Sequence, residues 1–337
     1  MANIRLLVTG GCGFIASNFI RYMLSRYPYQ IINIDKLTYA GNPENLKEIE
    51  RDKRYTFIKG DIANEADLEK VFNTDIDMVI NFAAESHVDR SIMAPDSFIK
   101  TNIYGTFALL EMSRKRNVKR YVQVSTDEVY GSLGKEGKFR EDTPLNPNSP
   151  YSASKASADM LVMAYHRTYG MPVIITRCSN NYGPYQFPEK LVPLMVTNAL
   201  VDAELPVYGD GMNIRDWIHV MDHCEALDLV LHRGKVGNVY NIGGENERTN
   251  IEIVKLILQI LGKPEGLIKF VTDRPGHDRR YAIDSTKIKN ELGFKPKTDF
   301  AEGIKSTVEW YIKNEAWWRR IKTGEYLDYY NALYKNR

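Results

Sequence analysis

Cysteine is scarce in this chain of 337 residues: Cys12, Cys178 and Cys224 are three, odd in number and far apart. That excludes a disulfide framework or a zinc ribbon and suits a reducing compartment. Net charge is nearly absent too, +2 from 45 basic and 43 acidic residues, and no long basic run occurs. So weak a field does not draw a chain to nucleic acid or to an anionic membrane. No uncharged apolar stretch approaches the ~20 residues of a membrane helix. The first residues run straight into a strand pattern, Ile4 to Val8, without the basic, apolar and small-residue zones of a secretory leader. A cytoplasmic location is expected, with neither membrane nor nucleic acid as partner. Internal repeats are missing as well, which excludes a solenoid.

What is present is an ordinary globular composition, in a length that can bury a large core without staples. Short apolar runs alternate with helical patterns in the first half. Strands are expected at 4–8, 31–34, 55–58, 78–82, 121–124 and 173–176, and helices at 14–24, 98–114 and 152–169. Alternation of this kind predicts an α/β fold, a Rossmann-like doubly wound parallel sheet. Beyond residue 178 proline and glycine break the rhythm, with one further strand at 239–242 and a helix at 251–261. The expected division is a sheet domain, 1–178 with 215–243, and a smaller mixed α/β substrate-binding domain, 179–214 with 244–337. A crevice between them is the expected site.

Gly10-Gly11-Cys12-Gly13-Phe14-Ile15-Ala16 lies between the first strand and the first helix. Glycines there let the backbone approach a pyrophosphate, and a helix N-terminus offers free N–H groups. The alternative is a plain strand-to-helix turn. Context favours the dinucleotide, because the second strand ends at Asp35, where a carboxylate binds ribose hydroxyls and repels a 2′-phosphate. NAD is therefore expected over NADP, although the cation of Lys36 offsets some of that repulsion.

Tyr151 and Lys155 are four residues apart after the turn signal Asn148-Ser149-Pro150, which places both on one helix face. A phenol of pKa about 10 needs about 4 kcal/mol of help to act as a base near neutrality. A cation ~4 Å away supplies roughly that at an effective dielectric near 20. The pair is thus expected to take a proton from a sugar hydroxyl as hydride leaves its carbon. A second polar cluster, Ser125-Thr126-Asp127-Glu128, follows the strand at 121–124 and so emerges at the same sheet edge. Two carboxylates in separate environments can divide into an acid and a base. The plainer reading of Asp-Glu is a solvated turn or a helix cap.

Together with Thr9–Phe14, Asp35–Asn42, Ala83–Asp89 and Cys178–Pro184, these segments resemble the extended short-chain dehydrogenase/reductases. So do Phe187–Leu191, Arg215–Trp217 and Arg274–Asp278. Within that family the match is nearest to the dTDP-glucose 4,6-dehydratases of dTDP-rhamnose and related deoxysugar pathways. It covers nearly the whole chain; Ala16 stands where the family usually has glycine, and 117–121 is short where some members carry an insertion.

The resemblance implies oxidation at carbon 4 by Tyr151 and NAD, loss of water across carbons 5 and 6, and return of the hydride to carbon 6. Glu128 is the implied base at carbon 5, Asp127 the acid at the 6-hydroxyl, and Thr126 the partner of the 4-oxygen. Lys155 completes the catalytic set. The implied NAD contacts are Gly10, Gly13, Phe14, Ile15, Asp35, Lys36, Leu37, Thr38, Asp61, Ile62, Phe82, Ala83, Ala84, Glu85, Ser86, Thr101, Tyr151, Lys155 and Asn181. The implied sugar-nucleotide contacts are Ser86, Thr126, Asn180, Lys190, Leu191, Pro206, Val207, Tyr208, Arg215, Asn250, Asp273, Arg274, Pro275, Gly276 and His277. Arg215 and Arg274 suit a diphosphate, since guanidinium groups match phosphate oxygens.

Three alternatives stay open: a UDP- or CDP-glucose dehydratase, a sugar-nucleotide epimerase or decarboxylase, and an NAD-binding regulator without activity. The base of the nucleotide cannot be read from spacing. His219 and His223 are four apart, but no third ligand is spaced to join them, and no metal is expected. The aromatic tail from Trp317 to Tyr330 is expected to pack on the smaller domain. The helices at 98–114 and 152–169 resemble those that pair across a homodimer in the family.

Overall fold

Strands that read as near-continuous apolar runs have no wet face and need cover on both sides. The computed structural model describes residues 4–334. Its strands are β1 (Arg5–Thr9), β2 (Gln30–Asp35), β3 (Tyr55–Lys59), β4 (Met78–Asn81), β5 (Arg120–Thr126) and β6 (Val173–Cys178). Then come β7 (Asn180–Tyr182), β8 (Leu205–Tyr208), β9 (Ile214–His219), β10 (Val239–Ile242), β11 (Glu247–Thr249) and β12 (Ile268–Val271). Seven of them form one sheet in the order β10-β6-β5-β4-β1-β2-β3, every pair parallel. All seven coincide with strands expected from the sequence, to within a residue or two at each end.

Alternation sets the two faces. Leu6, Val8, Ile80, Val122 and Ile174 pack on one face of the large sheet's core, against helices Phe14–Arg26 and Val220–Arg233. Leu7, Val79, Tyr121, Val173 and Ile175 pack on the other, against Glu65–Phe72, Thr106–Lys115 and Pro150–Tyr169. Ile80 is fully buried, so its truncation to alanine costs about 2–5 kcal/mol. The chain winds outward from β1 to β3 and then jumps back to β4 beside β1. This reversal opens a crevice at the carboxyl ends of β1 and β4.

A second core gathers the smaller layer: Tyr182, Trp217, Ile253, Ile257, Tyr311, Trp317 and Trp318. It carries two small sheets, β11-β9-β7 and β12-β8. The two layers share β9, where Trp217 faces the second core and Ile218 the first. The chain also returns late to the large sheet, since Ile288, Leu292 and Phe294 pack into its core. The tail folds as three helices, Phe300–Lys313, Glu315–Ile321 and Glu325–Tyr334; the last residues of the expected second domain, 335–337, lie outside the described residues.

One expected helix is not regular. Instead of a single α-helix over 98–114, Ile99–Gly105 winds as a wider π-helix before Thr106–Lys115 continues. Side-chain bonding accounts for it. Asn102 accepts from the Glu85 N–H at 2.9 Å and donates to the Glu85 carbonyl at 3.0 Å and to Ser154 Oγ at 2.8 Å. The extra residue in the turn lets Asn102 reach both neighbours while Thr101 faces the crevice.

Candidate active site

The catalytic helix begins where the sequence signals it. Ser149 accepts from the Ser152 N–H at 3.1 Å, Ser152 Oγ accepts from the Ser149 N–H, and Pro150 occupies the first turn. Such caps fix a helix start. Tyr151 and Lys155 therefore lie one turn apart, both buried. β5 ends at Thr126, and Asp127–Tyr130 form a 3-10 turn capped by the Thr126 hydroxyl. Gly131 closes that turn at φ +88°, and a side chain there would strike the Asn146 carbonyl. The turn sets Thr126 between its neighbours: its hydroxyl hydrogen-bonds the Tyr151 phenol and donates to Asp127 Oδ1.

The two carboxyl groups differ in their surroundings. Burial, and then the charge of Glu128, push Asp127 well above the usual carboxylate range. Burial also raises Glu128, but the cations of Arg274, Lys190 and Arg215 oppose it. Asp127 thus holds its proton, and Glu128 is the better supported anion. Lys155 is anchored to the sheet. Its Nζ donates to the Val124 carbonyl at 2.8 Å, and burial lowers its own pKa. Burial, Glu128, Cys178 and Asp127 all raise Tyr151, and the Thr126 hydrogen bond opposes them. The bond from Lys155 to Val124 uses one of the ammonium's three donors, and the other two remain for further partners.

A cleft runs from the glycine loop to this pair. Gly10 adopts φ +66°, and a Cβ on it would lie 2.8 Å from Ala83 Cα, so the first strand turn requires glycine. Gly13 caps helix Phe14–Arg26 without any side-chain hydrogen bond, leaving the first-turn N–H groups to face the cleft. Asp35 accepts from the Cys12 N–H at 2.9 Å and from the Leu37 N–H at 2.7 Å, which braces the loop. Each oxygen retains a lone pair, so the carboxylate still suits ribose hydroxyls. Lys36 pairs with Asp61 at 2.8 Å. An uncapped helix start, a close glycine and a buried carboxylate fit a dinucleotide.

Of the residues expected at the cofactor, all but Leu37 line the cleft, and Leu37 turns the backbone beside it at φ +58°. Ser86, Thr126, Asn180 and Lys190, expected at the sugar nucleotide, line it too. The rest approach from the smaller layer. Arg215 donates to the Asp278 carbonyl at 2.8 Å, and Arg274 pairs with Asp89 at 3.3 Å. Tyr208 donates to Asp89 at 3.4 Å, and His277 meets Asp273 at 2.6 Å. A Cβ on Gly276 would lie 3.0 Å from the Asn148 carbonyl, so this loop seats against the start of the catalytic helix. Arg274 Nε and Asn250 Oδ1 are buried with no partner among the described residues, as groups awaiting a polar ligand are. Val207 is buried in the second core, Pro206 pairs with Lys269 along β12, and Leu191 opens helix Leu191–Ala199.

Sequence reasoning missed Asp89 and Arg90 as parts of this site. Asp89 joins His87, Tyr208 and Arg274. Arg90 is sandwiched between Tyr39 and Tyr329, 3.7 and 3.8 Å from their ring centres, and bonds Glu189 at 3.1 Å. Their signal was position, directly after the Ala83–Ser86 run that leaves β4. Cys178, Ser179 and Gln186 also line the cleft, and only the first two had a positional cue, at the end of β6. His219 and His223 do not converge: His219 Nδ1 accepts from Met221 N–H, and His223 Nδ1 meets Asn181.

Comparison with known proteins agrees in kind with this geometry. The family model for GDP-mannose 4,6 dehydratase matches residues 7–307. A dTDP-glucose 4,6-dehydratase of Xanthomonas campestris is 53% identical, over 95% of this chain and 96% of its own. The crystal structure of dTDP-glucose 4,6-dehydratase from Bacillus anthracis in complex with NAD is 57% identical. It superposes with a TM-score of 0.89 over 95% of this chain and 100% of that one. Its Streptomyces venezuelae counterpart, also with NAD bound, gives 0.93 at 49% identity, over 95% and 100%.

Proposed function

The chain belongs to the GDP-mannose 4,6 dehydratase family and, within it, to the dTDP-glucose 4,6-dehydratases; from that premise we propose how its residues divide the reaction. The enzyme converts dTDP-glucose to dTDP-4-keto-6-deoxyglucose, a step of deoxysugar nucleotide synthesis. Bound NAD accepts a hydride from carbon 4 and returns it to carbon 6, so the cofactor is regenerated. Tyr151 takes the proton of the 4-hydroxyl, with Thr126 holding the 4-oxygen through the hydroxyl that touches both Tyr151 and Asp127. The new ketone acidifies carbon 5. Glu128 removes that proton, and Asp127 delivers its own to the departing 6-hydroxyl, which leaves as water.

One observation carries this reading. Adjacent buried carboxyl groups, both raised by burial but Glu128 the more strongly countered by cations, sit beside a tyrosine that reaches them through one threonine. A simple oxidoreductase has no use for such a pair. Arg274, Arg215 and Lys190 are read as holding the diphosphate, in a sugar-nucleotide-binding part made of 179–214 and 244–337. The NAD-binding part is 1–178 with 215–243. Incubation with dTDP-, UDP- and CDP-glucose tests the substrate: a 4-keto-6-deoxy sugar from the dTDP compound is expected, and a clear preference for another base overturns the assignment.

A homodimer is part of the same reading. Ile92, Met93, Ile99, Tyr104, Phe107, Met160 and Tyr169 are exposed on the helices over 88–115 and 150–169, an apolar face that a second copy would cover. Sedimentation at twice the chain mass is expected; a monomer at micromolar concentration refutes it. Among the described residues no helix is long and apolar enough to cross a membrane, and three unpaired cysteines, all buried, support a cytoplasmic location.

A further inference from the structure

Helix Val220–Arg233 buries an otherwise apolar face, with Val220, Cys224, Leu227, Val230 and Leu231 all at or near zero exposure. His223 is on that face and is also wholly buried. A polar ring in such a place is costly unless it makes a bond the protein uses. Its Nδ1 lies 2.8 Å from Oδ1 of Asn181, on β7, and Asn181 lines the cleft.

The direction of that bond is fixed by chemistry. Asn181 Nδ2 is 3.0 Å from the Ser179 carbonyl, which can only accept, so the amide nitrogen faces Ser179. Oδ1 then faces His223 and can only accept, so the proton resides on Nδ1. Nε2 is left bare, buried and without a partner among the described residues. A bare acceptor is the better tolerated of the two orphan states. Burial pushes the ring down to about 3, so it stays neutral throughout the working range. The same Asn181 side chain lies against Cys178, a neutral thiol whose Sγ donates to the Ser125 carbonyl at 3.4 Å at the end of β6.

We propose that His223 is a positioning residue for the reaction: through its Nδ1–H it locks the amide of Asn181 in the cleft, and through Asn181 the Cys178 thiol beside Tyr151. It touches neither cofactor nor substrate. The proposal rests on reading the cleft as the NAD site, and it makes His223 the member of the two-histidine pattern that serves catalysis without a metal.

The test has two arms. Nitrogen-15 NMR of histidine in the NAD-loaded enzyme, with His223 identified by loss of its signal in His223→Asn, should show the Nδ1–H tautomer, unchanged between about pH 6 and pH 8. An Nε2–H tautomer or an imidazolium there overturns the proposal, whatever the activity. In single turnovers with dTDP-glucose, His223→Leu should slow the rise of reduced-nicotinamide absorbance by about tenfold, the loss expected from one buried hydrogen bond. His223→Asn keeps an N–H near the Nδ1 position and should recover most of that rate. In an Asn181→Ala background His223→Leu should add nothing. Multiplying losses in the double variant, or a His223→Leu enzyme with lowered Tm and a normal rate, overturns it. If His223→Leu does not fold, the tautomer decides alone. If the unmodified enzyme shows no reduced nicotinamide, the reading of the reaction fails and the tautomer still reports on His223.

Discussion

The hydroxyl of Thr126 donates to Oδ1 of Asp127 at 3.1 Å, while Oδ2 of the same carboxyl is buried without a partner among the described residues. A carboxyl half satisfied in this way keeps its proton, because the bare oxygen of the anion would have nothing to solvate it.

Stability should record that proton. Asp127 is raised in the folded protein and titrates near 3.9 when unfolded. Its favourable contribution is therefore complete below about pH 4 and is lost as pH rises toward the folded value. Asp127→Asn removes the loss. With NAD saturating, the variant should melt higher than the unmodified enzyme at about pH 8, on the order of 1–3 °C, and no higher at about pH 4. Equal melting differences at both pH values refute the protonated assignment.

Elimination, but not oxidation, needs the carboxyl pair. Asp127→Asn combined with Glu128→Gln should stall after the first step, because general acid–base help is worth about 10²–10⁴-fold. Reduced-nicotinamide absorbance should rise and persist in single-turnover mixing, with little 6-deoxy product. Undiminished product formation makes both carboxyls bystanders.

The pH profile of oxidation should move with them. Glu128 is the anion that raises Tyr151, so removing its charge lowers it. The oxidation step speeds up as pH rises and the phenol yields its proton more readily. In the double variant that rise should occur at lower pH than in the unmodified enzyme. Tyr151→Phe should abolish oxidation while retaining NAD, and Lys155→Ala should weaken both. A phenylalanine variant with near-normal turnover removes Tyr151 from the mechanism.

Asp35 has two tasks, and substitution should separate them. It is proposed to repel a 2′-phosphate, and it braces the Cys12 and Leu37 N–H groups. Asp35→Ser should narrow the preference for NAD over NADP, measured as the ratio of dissociation constants. It should also cost about 1–3 kcal/mol of stability, since two buried donors lose their acceptor. An unmodified enzyme that uses both cofactors equally refutes the first task.

The large sheet was legible because its strands other than β3 are buried on both faces, and burial on both faces writes uninterrupted apolar runs such as Leu6-Leu7-Val8. β7 and β11 have three residues each and β8 and β12 four, too few to show a period. The π turn was hidden because nothing local distinguishes Asn102; its partners, Glu85 and Ser154, are 17 and 52 residues away. The cleft lining came chiefly from the family resemblance, with the glycine loop, Asp35 and Ser125–Glu128 legible from their positions after strands. What spacing could not give was charge: Tyr151 and Lys155 share a face, yet the lysine answers to Val124, and the environments of Asp127 and Glu128 depend on cations up to 146 residues distant in Arg274.

The fastening of the cleft's rim sets an order on the protein's birth. Tyr39 is stacked through Arg90 on Tyr329, Trp317 donates to Asn45 at 3.0 Å, and Arg320 binds Glu44. These bonds join the first fifty residues to the last thirty. A ribosome delivers the glycine loop, the parallel sheet and the catalytic helix long before it releases the helices that begin at Phe300, Glu315 and Glu325. Until they emerge, the rim of the cleft beside Tyr39, Glu44 and Asn45 lacks these fastenings. A nascent chain paused before residue 315 has every residue that lines the cleft and none of these three fastenings.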